Sequence, residues 1–317
     1  AETSILKFIY SNSFMVSSYM RIFSSNEWDP LKSIIVGSAV NANWPVNCPD
    51  FRQQEDLTLW KETPVPSGPV SRTIVKEANY DLQCLTDYLR KIGIDVYRPK
   101  NLDFVGRDGL YNYCPRDRLL VVDDVVVDTP MMYQCREMEI EAYDFLECEF
   151  VKAQGKWDAA NVCRLNDDLL YLISNSGDQA GYEWLVDYFS DTKRVHKVNF
   201  YSGVHIDSTI SPVREGLVVL NAKRVTAETV PEPLKNWDKI WVHELAEQPF
   251  VDYPYASNWI GMNFLVINPE FVILEGKQEW LRSELDKYGV ESEGIALTHS
   301  RTLGGGHHCV TLDLERR

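Results

Sequence analysis

Leu119-Leu120-Val121-Val122-Asp123-Asp124-Val125-Val126-Val127 reads as two short apolar strands turned by a pair of aspartates, and this pattern decides the fold. It returns along the chain. Asn161 to Leu165 and Leu169 to Ile173 flank Asn166 to Asp168, and Thr209 to Val213 faces Leu217 to Leu220 across Arg214 to Gly216. Asn263 to Ile267 faces Phe271 to Leu274 across Asn268 to Glu270, and Leu31 to Val36 opens a fifth unit. Helical patterns lie between hairpins at Glu77 to Lys91, Ala180 to Phe189 and Gln278 to Tyr288, the last closed by Gly289 as a C-cap. Units that cannot each bury their own apolar face imply a closed repeat arrangement with functional loops gathered near a central axis. Pro64 to Pro69 reads as a surface loop within one domain.

The composition fits that picture. The 317 residues are 44% hydrophobic, with twelve Phe, sixteen Tyr and nine Trp, enough apolar surface for a folded protein. Thirty-two Lys and Arg against 47 Asp and Glu give a net charge of -15, which repels polyanions and makes nucleic acid and anionic membranes poor partners. Ile5 to Ile22 is interrupted by Lys7, Ser11, Asn12 and Ser17, so it falls short of the roughly 18 to 20 apolar residues of a membrane span and does not read as a secretion signal. Seven scattered cysteines, an odd number, argue against a disulfide framework and point to a reducing, cytoplasmic setting.

Four motifs carry candidate chemistry. In Val204-His205-Ile206-Asp207-Ser208-Thr209, an extended backbone puts His205 and Asp207 on one face. Leu303-Gly304-Gly305-Gly306-His307-His308-Cys309 places a thiol at a strand entrance behind a tight turn, where it can reach a ligand. A zinc reading of His307, His308 and Cys309 is weak, because adjacent residues of an extended chain point to opposite sides; no metal or cofactor is expected. Trp157-Asp158-Ala159-Ala160-Asn161 offers Asp158 as the carboxylate that orients His205, and Cys114-Pro115-Arg116-Asp117 offers a further carboxylate at a strand mouth. Asp117 and Asp207 could grip a planar guanidinium from different edges and leave its carbon exposed. Taken singly, each motif also fits an ordinary turn, cap or surface strand.

Taken together, CPRD, WDAAN, HIDSTI and LGGGHHC resemble the amidinotransferase family of guanidino-group-modifying enzymes, in matching order and spacing. The likeness runs from about Asn26 to the C-terminus and includes Asn26-Glu27-Trp28-Asp29-Pro30-Leu31 and Asn258-Trp259-Ile260-Gly261-Met262-Asn263. It implies a five-bladed α/β propeller of ββαβ units with pseudo-fivefold symmetry, spanning residues 26–317 after an N-terminal extension over 1–25. It further implies Cys309 as nucleophile, His205 as general acid and base, Asp158 as its partner, Asp117 and Asp207 as guanidinium clamps, and Arg224 as ligand of the substrate carboxylate. Val204, Gly261 and Met262 would stand at the acceptor.

The implied reaction is ping-pong, with L-arginine as donor, ornithine as first product and an amine as acceptor; a homodimer is implied as well. The wording is more similar to the bacterial branch acting on inosamine phosphates and natural-product amines than to the vertebrate glycine enzyme. That enzyme has Asp, Met and Ser where Asn161, Val204 and Gly261 stand here, so the acceptor pocket is expected to be roomier. An arginine deiminase-like hydrolase, an arginine:glycine amidinotransferase and a silent binding protein are the rival readings.

Overall fold

The computed structural model describes residues 20–56, 65–200 and 203–317; the stretch Ile5 to Ile22 and the 1–25 extension therefore lie mostly outside the described residues. The hairpin of the opening motif is present as Leu119–Val122 paired antiparallel with Val125–Asp128, and Phe150–Lys152 adds a parallel third strand. Its first strand is buried at every position, as expected of a run of Leu and Val with no polar alternation. Asp123 turns the chain with φ 53°, and Asn166 (φ 63°) and Gly216 (φ 86°) do the same in the next two hairpins, in the left-handed region that such tight turns favour.

Three more units repeat the plan. Val162–Leu165, Asp168–Leu172 and Arg194–Val198 form one three-stranded sheet, and Ile210–Arg214, Leu217–Asn221 and Asp238–Val242 another. Leu265–Asn268, Phe271–Leu274 and Glu291–Gly294 form the next. The fifth is assembled from both ends of the chain: Leu31–Val36 pairs antiparallel with Thr311–Arg316 and parallel with Asp95–Tyr97. The last strand of the sequence thus takes the first-strand place in the opening unit. The five sheets are separate, and among the described residues no single sheet closes on itself.

The crossovers are less uniform than the hairpins. Arg72–Lys91, Gln179–Tyr188 and Glu279–Lys287 are α-helices; the last two lie within one residue of the expected stretches, and the first begins five residues before the expected Glu77. Ser71 caps the first by accepting from the Ile74 amide, and Asp178 caps the second by accepting from Gly181. The other two units cross over through 3₁₀ turns, Gln134–Leu146 and Glu232–Leu234. The loop expected over Pro64 to Pro69 contains a short strand, Gly68–Pro69, paired with Asn43–Trp44, and Pro64 is outside the described residues. Phe23 and Ser24 bridge to Glu315 and Asp123, so packing begins before Asn26.

Candidate active site

One position recurs in all five units: the short turn that leads into the first hairpin strand. Asp117 ends the turn Pro115–Asp117 before Leu119, and Asp158 precedes the turn Ala159–Asn161 before Val162. His205 and Asp207 precede Ile210, Asn263 precedes Leu265, and Cys309 precedes Thr311. Residues far apart in sequence meet because each occupies the same structural place in its own unit.

His205 Nε2 lies 2.9 Å from Asp158 Oδ2, and its Nδ1 lies 3.5 Å from Asp117 Oδ1. The Met132 amide donates to the other Asp158 oxygen at 2.7 Å and fixes the carboxylate. The His205 amide donates to Ser176 Oγ at 3.2 Å, and that hydroxyl donates to Asn161 Oδ1 at 2.7 Å. These bonds hold His205 at φ 25°, a strained backbone setting for a non-glycine residue and one that accompanies functional sites. Burial opposes charge on the imidazole, but Asp117, Asp158 and Asp207 outweigh it and raise His205 to about 9. It is an imidazolium at neutral pH, able to give a proton.

The sulfur side is built differently. Cys309, only 3% exposed, donates from Sγ to Asp207 Oδ2 at 3.2 Å. Asn263 Oδ1 accepts from the amides of His308 and Cys309 at 3.1 and 3.0 Å, and fits beneath them because Gly306 has no side chain: a Cβ there would stand 2.7 Å from Asn263 Cβ. Gly304 (φ 81°) supplies the left-handed step in the same turn. Burial pushes the Cys309 thiol well above the usual cysteine range, and Asp207, Cys114 and Asp117 add to the rise. Burial would also raise Asp207, but His308 and His205 reverse this and lower it to about 2.

Asp117 is held from behind. Its Oδ2 accepts from Arg136 Nη1 at 2.8 Å, and Arg136 is gripped by both oxygens of Glu139 at 2.8 and 3.0 Å. Its Oδ1 is buried and accepts no hydrogen bond among the described residues, although His205 Nδ1 stands 3.5 Å away. Burial raises Asp117 against the pull of His205 and Arg136.

The remaining expected residues have varied settings. Arg224 donates from Nη1 to Thr209 Oγ1 at 2.8 Å and reaches Ser208 Oγ at 3.3 Å. Val204 is 40% exposed beside His205, whereas Met262 is fully buried in the core. The space at Gly261 is occupied: a Cβ would stand 2.6 Å from Gln278 Nε2, and the Gln278 amide is bonded both ways to Ala246. His307 gives no support to a zinc reading, since its Nε2 lies 2.8 Å from the Ile295 carbonyl and burial lowers it to about 4. Among the described residues no cluster of three or more His, Cys, Asp or Glu is placed to hold a metal ion. None of their helices is long and apolar enough to cross a membrane.

The motif reading missed the groups that support the site. His308 links Asp207 to Glu27, and Arg136 with Glu139 braces Asp117. Glu27 and Asn263 stood inside quoted motifs, but nothing in their spacing showed what they touch.

An α/β fold of like units, with a thiol, an imidazole and carboxylates at their turns, is that of the guanidino-group-modifying, or pentein, superfamily. No family model matches the sequence. Inosamine-phosphate amidinotransferase 1 of Streptomyces glaucescens is 37% identical over 92% of this chain and 95% of its own length. The structure of an inosamine-phosphate amidinotransferase from Streptomyces griseus superposes with a TM-score of 0.87 at 36% identity, covering 93% of this chain and 97% of that one. An amidinotransferase of the saxitoxin biosynthetic pathway from Microseira wollei follows with a TM-score of 0.80 at 26% identity, over 93% of this chain and 97% of that one. Mitochondrial glycine amidinotransferase of Xenopus tropicalis is 25% identical over 93% of this chain and 83% of its own. The chain belongs to the amidinotransferase family.

Proposed function

We propose that this enzyme transfers the amidino group of L-arginine to an acceptor amine through a covalent amidino-cysteine on Cys309, releasing ornithine. The observation that carries the reading is the convergence of sulfur and imidazole on carboxylates. Asp207 lies 3.2 Å from Cys309 Sγ, and Asp117 lies 3.5 Å from His205 Nδ1 with a buried oxygen that lacks a donor. A guanidinium held between Asp117 and Asp207 would supply that donor and present its carbon to sulfur. Its charge would also offset the burial that keeps Cys309 neutral, so the thiolate forms with substrate in place and, because His205 is already protonated, the thiol proton leaves to solvent.

In the first half-reaction the sulfur bonds to the guanidinium carbon, the bond from that carbon to the ornithine nitrogen breaks, and His205 gives its proton to that nitrogen. In the second, the acceptor nitrogen bonds to the carbon, the C–S bond breaks, and His205 takes the acceptor's proton. Asp158 keeps the imidazole oriented and supports its charged form through both. Arg224, at the turn beside Thr209, would take the substrate carboxylate.

An aminocyclitol phosphate or another natural-product amine is the acceptor class that the Streptomyces and Microseira relatives support. The five like sheets support closure into a five-bladed α/β propeller of ββαβ units around the site. Seven free cysteines suit a reducing, cytoplasmic setting. Incubation with guanidino-labelled arginine and a panel of glycine, lysine, aminocyclitols and their phosphates tests the reading. Labelled acceptor with free ornithine is the expected result; citrulline and ammonia formed without acceptor would establish hydrolysis instead.

A further inference from the structure

Behind the sulfur lies a buried chain of charges that takes no part in either half-reaction. His308 Nδ1 lies 2.8 Å from Asp207 Oδ2, and His308 Nε2 lies 3.1 Å from Glu27 Oε2. Glu27 is in turn bonded through both carboxylate oxygens to Arg164, whose Nη2 also meets Asp313 at 2.8 Å. Arg116 and Arg316 complete the pairing of Asp313. The segment at Glu27, the strand Val162–Leu165 and the last strand are thereby tied to the carboxylate that touches Cys309.

The geometry constrains the charge of His308. Both ring nitrogens face carboxylates, which only accept hydrogen bonds when ionised, so both nitrogens must carry protons. Burial and the nearby Arg116 oppose a charged His308, but its bonds to Asp207 and Glu27 outweigh them and raise it. Cys163, Cys309 and His205 are the other titratable groups close to this pair: both thiols are held high, and His205, raised to about 9, helps His308 to lower Asp207. Glu27, Asp207 and Asp313 are matched by Arg116, Arg164 and Arg316, so a protonated His308 leaves the network one positive charge in excess, beside the sulfur. The small cavity at this point, about 20 Å³, is walled by Glu27, Asp207 and His308 together with apolar groups such as Ile206, Phe264 and Val266. None of those apolar walls can replace the imidazole as donor.

We propose that His308 is a positioning residue that acts as a fixed imidazolium: it holds Asp207 against Cys309 and supplies the positive charge that lets the buried sulfur ionise. His308 does not touch the reacting carbon. It works through Asp207, which would otherwise face Glu27 as one buried carboxylate facing another and rotate away from the sulfur. This proposal rests on the assignment of Cys309 as the nucleophile, but not on the identity of donor or acceptor.

The test is the pH dependence of Cys309 alkylation by 2-chloroacetamidine, mapped by mass, in the full-length enzyme and in His308→Gln. The variant is expected to label about tenfold more slowly at pH 7.5, with the midpoint of its rate profile raised by about one pH unit, and its arginine KM to rise more than its kcat falls at high pH. Identical profiles and identical KM would overturn the proposal. Nitrogen-15 NMR of histidine-labelled enzyme provides a second measurement that needs no variant. Two protonated ring nitrogens on His308 from pH 6 to 8.5 are expected, and a neutral tautomer in that range would overturn it. Absence of amidino transfer to any acceptor, with the labelling coupling intact, would sink the proposed reaction and leave this inference standing.

Discussion

The two halves of the site are charged in opposite ways at rest. Around His205, carboxylates dominate and the imidazole is raised to about 9, so the acid is already loaded with its proton. Around Cys309, burial dominates and the thiol is neutral, although Asp207 beside it is lowered to about 2. On the proposed reaction, proton donor and nucleophile are thus not prepared alike: the first would be ready without substrate, and the second would wait for a cation. Such an arrangement would, on that reaction, protect the thiol from wasteful oxidation or alkylation until a cationic substrate binds.

The comparison breaks most sharply at the sulfur. Cys309→Ala is expected to lower ornithine release by at least about 10³-fold, since it removes the sulfur that would form the covalent adduct. Its unfolding temperature should change little, because the side chain is small. Retained turnover would move the nucleophile elsewhere, and Cys114, buried nearby, would be the next to examine.

On the imidazole side, Asp158→Asn is expected to cost about 10²-fold in kcat and to move the alkaline limb of the pH profile downward. The sign follows from the raised value: His205 is protonated below about 9, so removing one carboxylate lowers that point. The same group contributes to stability. Its folded value exceeds the unfolded one of about 6.5, so its contribution is fully present below that pH and is lost as pH rises through about 9. Denaturant midpoints measured from pH 6 to 10 should fall across that window in the parent and fall less in Asp158→Asn.

Arg136→Met sharpens the contrast between a group in the cleft and its support. Asp117 and Glu139 would each lose a buried partner, a loss of about 3 kcal/mol or more in unfolding free energy, together with a higher arginine KM. Burial already raises Glu139 to about 7 and Asp117 above its usual value. Protonation can therefore relieve the unpaired carboxylates, and the deficit relative to the parent should shrink as pH falls from 8 to 6. A deficit independent of pH would count against the ion pair as its source.

How much of this was legible in the sequence follows from what each pattern reports. Strand runs such as Leu119–Val122 and helices such as Arg72–Lys91 follow from local periodicity, and their bounds agree with the expected ones to within a few residues at most ends. The crossovers Gln134–Leu146 and Glu232–Leu234 were not legible, because a 3₁₀ turn leaves no long apolar period. Of the candidate site, Cys309, His205, Asp117, Asp158 and Asp207 stood out by type and neighbours. Arg136, Glu139 and Glu27 did not, since a buried charge reads in sequence like a solvated one until its partner is known. At Gly261 the missing side chain suggested open room, whereas Gln278 from another segment stands 2.6 Å from where a Cβ would be.

That last point yields the smallest expected effect. If Gly261 had left a void for a bulky acceptor, Gly261→Ser would fill it, shift selectivity toward small amines and leave stability untouched. The packing implies something else. A Cβ would press within 2.6 Å of Gln278 Nε2, and Gln278 cannot swing away without giving up both bonds to Ala246. The cost is about 1 to 2 kcal/mol of stability, read as a lowered unfolding midpoint, with any change in acceptor preference following from displacement of the loop at Ala246. Gly261→Ser combined with Gln278→Ala tests this directly, because removing the obstructing amide should restore much of the midpoint lost to overpacking. A double variant less stable than the sum of the two single changes would show that the pressure at position 261 comes from elsewhere.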